Sequence, residues 1–243
     1  MRDPALTPNA WLRWDLIRRQ LDDGPPRPRI LELGIGQGAV GVRLAHRGPY
    51  TGIEQDARSR LVAQSRLPSS ARLLGDLAEL DPEERFDLVC AFEVIEHIEA
   101  DQDVVADLVG RLEPGGHLLI SVPAHPHRFA AADRLVGHLR RYSRPQLRSL
   151  LEAAGLEDVH VDATGFPLGH VLEAGRNVLA GRRRSPASST AELTAASGRL
   201  LQPPSGMAPL TQALTLPFRW LQRPFRGTEL GTGWVASGRR PRS

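Results

Sequence analysis

With 243 residues, 41% of them hydrophobic, the chain is long enough to bury a sizeable core as one domain with appendages. Its 31 basic residues are all arginine and face 28 acidic ones, so a formal net charge of only +3 argues against nucleic acid as partner. Cys90 is the single cysteine, which excludes an intrachain disulfide and a cysteine-built zinc site; with neither an apolar leader nor a run of about 18 apolar residues, a cytoplasmic protein is expected.

Leu6, Trp11, Leu12, Trp14, Leu16, Ile17 and Leu21 recur at helical spacing and predict a helix over residues 5–21, joined to the rest by the linker Asp22–Pro28. Ile30, Leu31 and Leu33 then read as a short strand buried on both faces. Gly34, Gly36 and Gly38 follow it, and Ala39–His46 has the pattern of a helix. Tyr50–Glu54 predicts a second strand ending in an acid. Glu54 lies 20 residues after Gly34, the separation at which a carboxylate at a strand end accepts from ribose hydroxyls, while Asp56 is the better helix N-cap. Further strands are expected at Ala71–Asp76, Phe86–Phe92 and, after the turn Pro114-Gly115-Gly116, up to Val122. A helix begun by Pro145 and closed by Gly155 leads to a sixth strand, Asp158–Asp162, and Gly233–Gly238 is the best candidate for a last, antiparallel strand.

About 65 residues separate those two strands, far more than a hairpin loop. They hold a helix at Val171–Ala180, a Ser/Pro-rich linker at 185–190 and apolar segments at 191–201 and 208–222. The stretch 208–226 mixes Leu, Phe and Trp with Arg219, Arg223 and Arg226. It suits a membrane surface, a helix capping the active site or one docking a second subunit in a dimer. The expected organisation is an N-terminal helix and linker (1–28), a core (29–165), a helical cap (166–230) and a final strand with tail (231–243). The expected fold class is α/β, a Rossmann-like doubly wound seven-stranded sheet with an antiparallel last strand.

Gly34, Gly36 and Ala39 satisfy a dinucleotide-binding fingerprint, which alone leaves a dehydrogenase open. Glu32, two residues before the first glycine, turns the segment into Glu-Leu-Gly-x-Gly-x-Gly, which resembles motif I of the class I S-adenosylmethionine-dependent methyltransferases. The Pro-Gly-Gly turn is also a mark of that family. The resemblance implies S-adenosylmethionine as cofactor, held by Glu32, Gly34, Gly36, Gly38, Glu54 and Phe92, with Asp76 at the adenine amino group and the Leu77 amide beside it.

Chemistry is expected at the end of the fourth strand, in Glu93-Val-Ile-Glu96-His97. If a helical turn begins at Glu93, then Glu93, Glu96 and His97 project from one face, where a divalent metal such as magnesium, manganese or zinc relieves their repulsion. His138, in Gly137-His-Leu-Arg-Arg-Tyr-Ser143, is the candidate fourth ligand. The pairing resembles two metal-dependent groups, the small-RNA 3′-end 2′-O-methyltransferases and the ubiquinone-pathway O-methyltransferases. Arg140-Arg-Tyr-Ser143 departs from the Phe-Glu-Trp-Thr/Ser of the RNA group. Metal binding, a metal-free catalytic role for His97 or His138 with Glu96, and a structural role stay open; His125 and His127 lie at the same sheet edge. The expected activity is methyl transfer from S-adenosylmethionine to a small molecule, at a hydroxyl of a natural product, lipid or quinone-like acceptor; the alternatives are RNA 2′-O-methylation and metal-free N- or C-methylation.

Overall fold

The computed structural model describes residues 3–22, 24–182 and 208–242. The expected linker at 185–190 and the apolar segment 191–201 lie outside the described residues. Four short parallel strands, β1 (Ile30–Leu33), β2 (Tyr50–Ile53), β3 (Arg72–Leu74) and β4 (Phe86–Phe92), join β5 (Leu112–Pro123), β6 (Glu157–Thr164) and β7 (Gly233–Arg239). They form one seven-stranded sheet in the order β3-β2-β1-β4-β5-β7-β6, with β7 antiparallel to both its neighbours. The fold class and the antiparallel last strand are those expected from the sequence.

Register explains why the strands read as apolar runs. Leu31 pairs with Val89, which pairs with Leu118, and this row faces one side together with Ile120, Leu108, Leu147 and Leu151. Ile30, Leu88, Cys90 and Leu119 face the other side, against Trp11, Trp14 and Ile17. Both faces are therefore covered, and each central strand loses its apolar surface twice over.

The first side is closed by α4 (Asp101–Gly110) and α6 (Arg144–Ala153), which supply Leu108, Leu147 and Leu151 to the packing. Ser143 caps α6 by accepting from the Gln146 amide, with Pro145 in its first turn. The second side carries α1 (Pro8–Asp22), the short α2 (Gly41–Ala45) and α3 (Ala57–Arg66), the last capped by Asp56, whose side chain accepts from Ser59 N at 3.0 Å. The Arg43 guanidinium lies 5.0 Å from the Trp11 ring centroid and ties α2 to α1.

Two helices were poorly marked in the sequence. α5 (Ala131–Val136) is only six residues long and stops at Gly137 in the left-handed region, and α2 is shorter than the Ala39–His46 expected. α7 (Leu168–Arg182) and α8 (Ala208–Leu221) are the described helices of the expected cap. α8 and the turn just after it meet α1 through polar residues: Gln222 Nε2 donates to Leu12 O at 2.8 Å, and Arg219 of α8 and Arg223 beyond it pair with the fully buried Asp15 at 3.7 and 3.3 Å. Two of the three arginines expected on a membrane-facing surface thus point inward. Leu210, Leu214, Trp220 and Leu221 are left exposed. No helix of the described residues is long and apolar enough to cross a membrane.

Candidate active site

In an open parallel sheet, ligands bind beyond the carboxyl ends of the strands where the strand order reverses. Here that point lies between β1 and β4, and a cavity of about 1450 Å³ opens there. Its floor includes Glu32, Gly34, Gly36, Glu54 and Phe92, and α1 with the residues before it (Ala5 to Arg13) forms one wall. A pocket for one drug-sized ligand is about 300–1,000 Å³, so there is room for a nucleoside cofactor and a second small molecule.

The glycine turn is built by three different constraints. Gly34 has φ +72°, and an added Cβ would stand 2.5 Å from Val94 Cγ2. Gly36, at φ +54°, faces open space. Gly38 is placed differently from the cofactor contact expected of it: it is not part of the cavity wall, and an added Cβ would lie 3.1 Å from Ala63 Cβ, so its role is the close approach of the turn to α3. Glu54 holds the turn from the next strand, its Oε2 accepting from Gly36 N at 2.7 Å and its Oε1 from Asp56 N at 2.9 Å. Glu32 is buried, with the Tyr50 hydroxyl donating to its Oε2 at 2.5 Å. Burial, opposed by that hydrogen bond and assisted by the Glu54 charge, raises its pKa to about 7. Asp76 and Leu77 stand outside the cavity wall. Asp76 is exposed and accepts from Ala78 N at 2.9 Å, capping a short 3₁₀ turn.

The helical turn expected from Glu93 starts two residues later, as a 3₁₀ turn over Ile95–His97. Glu93 N still donates to Ser121 O at 2.9 Å, continuing the β4–β5 ladder, and its φ of +57° swings the carboxylate away from the others. Glu93 pairs instead with Arg13 of α1 at 3.0 Å and accepts from the Ser121 hydroxyl at 3.2 Å. Burial would raise its pKa, but the Arg13 and His138 charges hold it below the usual carboxylate range.

Glu96, His97 and His138 do come together, with one donor atom from each lying within 4.8 Å of the others. Glu96 is fully buried, and neither of its oxygens has a hydrogen-bond partner among the described residues. Burial and the Glu93 charge push its pKa well above the carboxylate range. His138 Nε2 faces Glu96 Oε1 at 3.8 Å, while its Nδ1 donates to Asp133 Oδ1 at 2.9 Å. The His97 ring stands edge-on to His138 at 4.8 Å between centroids, with its Nδ1 on Gly137 O at 3.1 Å. Burial, reinforced by the His138 charge, lowers the His97 pKa to about 4, so this ring is neutral at pH 7. Both histidines line the cavity; His125 Nε2 instead donates to Gly231 O at 3.2 Å, away from the cavity wall.

Residues no motif announced complete the site. Arg13, Asp133, Arg141, Glu173 and Arg176 all line the cavity, drawn there from α1, α5, the loop after it and α7. Arg141 was visible only as part of the arginine pair after His138, and the others carried no local signal.

A nucleoside-sized cavity at the switch point of such a sheet, floored by a glycine turn with an acid on the next strand, defines a Rossmann-like nucleotide-binding protein. Residues 8–161 match a family described as methyltransferase domain, more than half of the chain, and the protein belongs to the class I S-adenosylmethionine-dependent methyltransferases. A protein of Mycolicibacterium smegmatis named as an S-adenosylmethionine-dependent methyltransferase is 29% identical over 154 residues, covering 61% of this chain and 60% of its own length. The ubiquinone biosynthesis O-methyltransferase of Idiomarina loihiensis is 27% identical over 165 residues, covering 59% of this chain and 68% of its own. Among solved structures, phosphoethanolamine N-methyltransferase 2 of Haemonchus contortus in complex with S-adenosyl-L-methionine superposes with a TM-score of 0.60 at 16% identity. It covers 94% of this chain and 52% of that one, a likeness of fold.

Proposed function

We propose that the protein transfers the methyl group of S-adenosylmethionine to a hydroxyl of a small, largely apolar acceptor of quinol or phenol type, at a divalent-metal site formed by Glu96, His97 and His138. The observation that carries this reading is the buried Glu96 carboxyl, without a hydrogen-bond partner among the described residues, beside two imidazoles whose other nitrogens are held from behind. A buried carboxylate without a partner is costly, and a ligating histidine is characteristically fixed through its second nitrogen by a carboxylate or carbonyl. Two nitrogens and a carboxylate favour manganese or zinc over magnesium. Held by Glu96, His97 and His138, such an ion would supply Lewis acidity that lowers the pKa of an acceptor hydroxyl.

The chain's own residues do the rest. On this reading Glu54, at the end of β2 and beside the glycine turn, accepts from the ribose hydroxyls, and the open face at Gly36 takes the methionine part. The sulfonium methyl is already activated, so holding acceptor and donor in line, away from water, provides much of the rate. Ala132, Leu135, Val136 and Leu179 give the acceptor end an apolar wall, which suits a quinone-like ring, and the ubiquinone-pathway relative supports that class. The modest net charge of +3 supports a small acceptor over a long polyanion.

The Asp133–His138 hydrogen bond favours a second reading, in which His138 acts as a metal-free general base. One experiment separates the two: methyl transfer from labelled S-adenosylmethionine to a panel of catechols and quinols, before and after exhaustive chelation. On the metal reading activity is lost and returns with added manganese or zinc. Full turnover after chelation ends it and leaves His138 as base.

A further inference from the structure

The turn that ends α5 fixes both imidazoles. Gly137, at φ +81°, turns its carbonyl onto His97 Nδ1, and the chain then folds back so that His138 N donates to Asp133 O at 2.9 Å. The Asp133 side chain, 2% exposed, takes His138 Nδ1 at 2.9 Å on one oxygen. It also receives Arg141 Nε at 2.9 Å, Arg141 Nη2 at 2.8 Å and Ala130 N at 2.8 Å. Arg141 Nη1 reaches on to Glu173 of α7, whose other oxygen accepts from Arg128; Arg128 also meets His170 Nδ1 at 2.9 Å, and His170 Nε2 donates to Leu230 O at 2.7 Å.

Asp133 and Glu173 are matched by Arg141 and the partly exposed Arg128, with Arg176 also near both acids. Asp133 therefore needs no proton from His138 for balance, and its hydrogen bond to the ring serves orientation: it selects the tautomer with hydrogen on Nδ1 and leaves the Nε2 lone pair facing Glu96. Turning the ring would break its bond to an Asp133 carboxylate that Arg141 holds in place, and that pair is anchored to α7 through Glu173.

We propose that Asp133 is a positioning residue that sets the tautomer and direction of His138, and that Arg141 and Glu173 make this hold depend on the docking of α7. The proposal rests on reading Glu96, His97 and His138 as the reactive cluster, and its test is built to fail separately from that reading.

The first measurement needs neither metal nor substrate: long-range proton–nitrogen correlation of the histidine rings of the full chain at about pH 8, above the usual histidine pKa, with H138Q assigning the signal. The Nδ1-protonated tautomer is expected for His138; the Nε2-protonated one overturns the proposal whatever the metal does. The second measures binding of zinc ion alone by chelator competition, and of S-adenosylhomocysteine by calorimetry, in D133N and E173Q. A loss of outer support characteristically costs about 10–100-fold in metal affinity. That loss is expected in D133N, a smaller one of about threefold in E173Q, and S-adenosylhomocysteine affinity within about threefold of wild type in both. Unchanged zinc affinity in D133N overturns the proposal, and if D133N does not fold, unchanged affinity in E173Q overturns it equally. Should the wild type bind no zinc while showing the expected tautomer, the metal reading falls alone. Positioning is then read from a lowered kcat at unchanged KM in D133N or E173Q, and an unchanged kcat overturns it.

Discussion

At the scale of the single residue, Glu32 is the group whose environment most contradicts its chemistry. It is 2% exposed, shares a hydrogen bond with the Tyr50 hydroxyl, and titrates at about 7 rather than 4.5. An acid whose pKa is raised by folding binds a proton more tightly in the folded state. Its stabilising contribution is thus complete below about pH 4.5 and is lost as pH rises through 7. The shift corresponds to about 3 kcal/mol. In the cofactor-free protein, E32Q is expected to lose less stability than wild type between about pH 5 and 8, by roughly that amount, as read from urea unfolding at several pH values. Equal slopes would show that Glu32 stays charged throughout. The motif in the sequence gave the position and type of this residue. It could not give the pKa, which depends on Tyr50 from the neighbouring strand closing over the carboxylate. The same holds for Gly34, Gly36 and Gly38: the spacing is legible, but which glycine faces the cavity and which merely admits Ala63 is decided by the packing of α3.

At the scale of the element, strands were legible because a segment covered on both faces is mostly apolar, and β1, β4 and the second half of β5 are so apart from Glu32, Asp87 and Ser121. Helix starts beside a strand end were not. The turn at Glu93 looks helical by spacing, yet the backbone stays in the ladder with Ser121 for one more residue, and that shift sends Glu93 to Arg13 and leaves Glu96 with the histidines. The segment of α8 and the turn after it shows a related limit: its arginines, read on their own, suit an anionic surface, and only the fold reveals Asp15 beside Arg219 and Arg223. Asp15 has its side chain almost wholly buried and also meets Arg19 at 3.6 Å. Breaking a buried pair by removing one partner is strongly destabilising, because the other charge is left without compensation. Arg223 is partly exposed and recovers some hydration, so D15A is expected to cost about 3 kcal/mol in urea unfolding. A cost below about 0.5 kcal/mol would mean that the apolar contacts of Trp11, Trp14 and Ile17 hold α1 unaided.

At the scale of the whole molecule, the cavity is a joint product of three units that are distant in sequence: the sheet edge with its glycine turn, α1 before it and α7 far after it. Of the residues expected at the cofactor, Glu32, Gly34, Gly36, Glu54 and Phe92 line the cavity, while Gly38, Asp76 and Leu77 do not. The acceptor half was not readable in the sequence, because Arg13, Asp133, Glu173 and Arg176 meet there only once the chain has closed. Two separate ties keep α1 in place over the cavity. Asp15 fastens it to α8 from outside, and Arg13 fastens its cavity-facing side to Glu93 at 3.0 Å, with side chains 17% and 33% exposed. Cutting the second tie leaves the first intact, so α1 should stay folded against the core while its inner face lifts more often. A partly exposed pair is worth about 1 kcal/mol or less, which converts to about a fivefold change in rate. R13A is therefore expected to release S-adenosylhomocysteine up to about fivefold faster than wild type in stopped-flow displacement, with a comparable rise in the association rate because entry needs the same opening. Its thermal midpoint should fall by only a few degrees. If dissociation from R13A is as slow as from wild type, the wall formed by Ala5 to Arg13 is not what retains the cofactor, and Glu54 with the glycine turn must hold it alone.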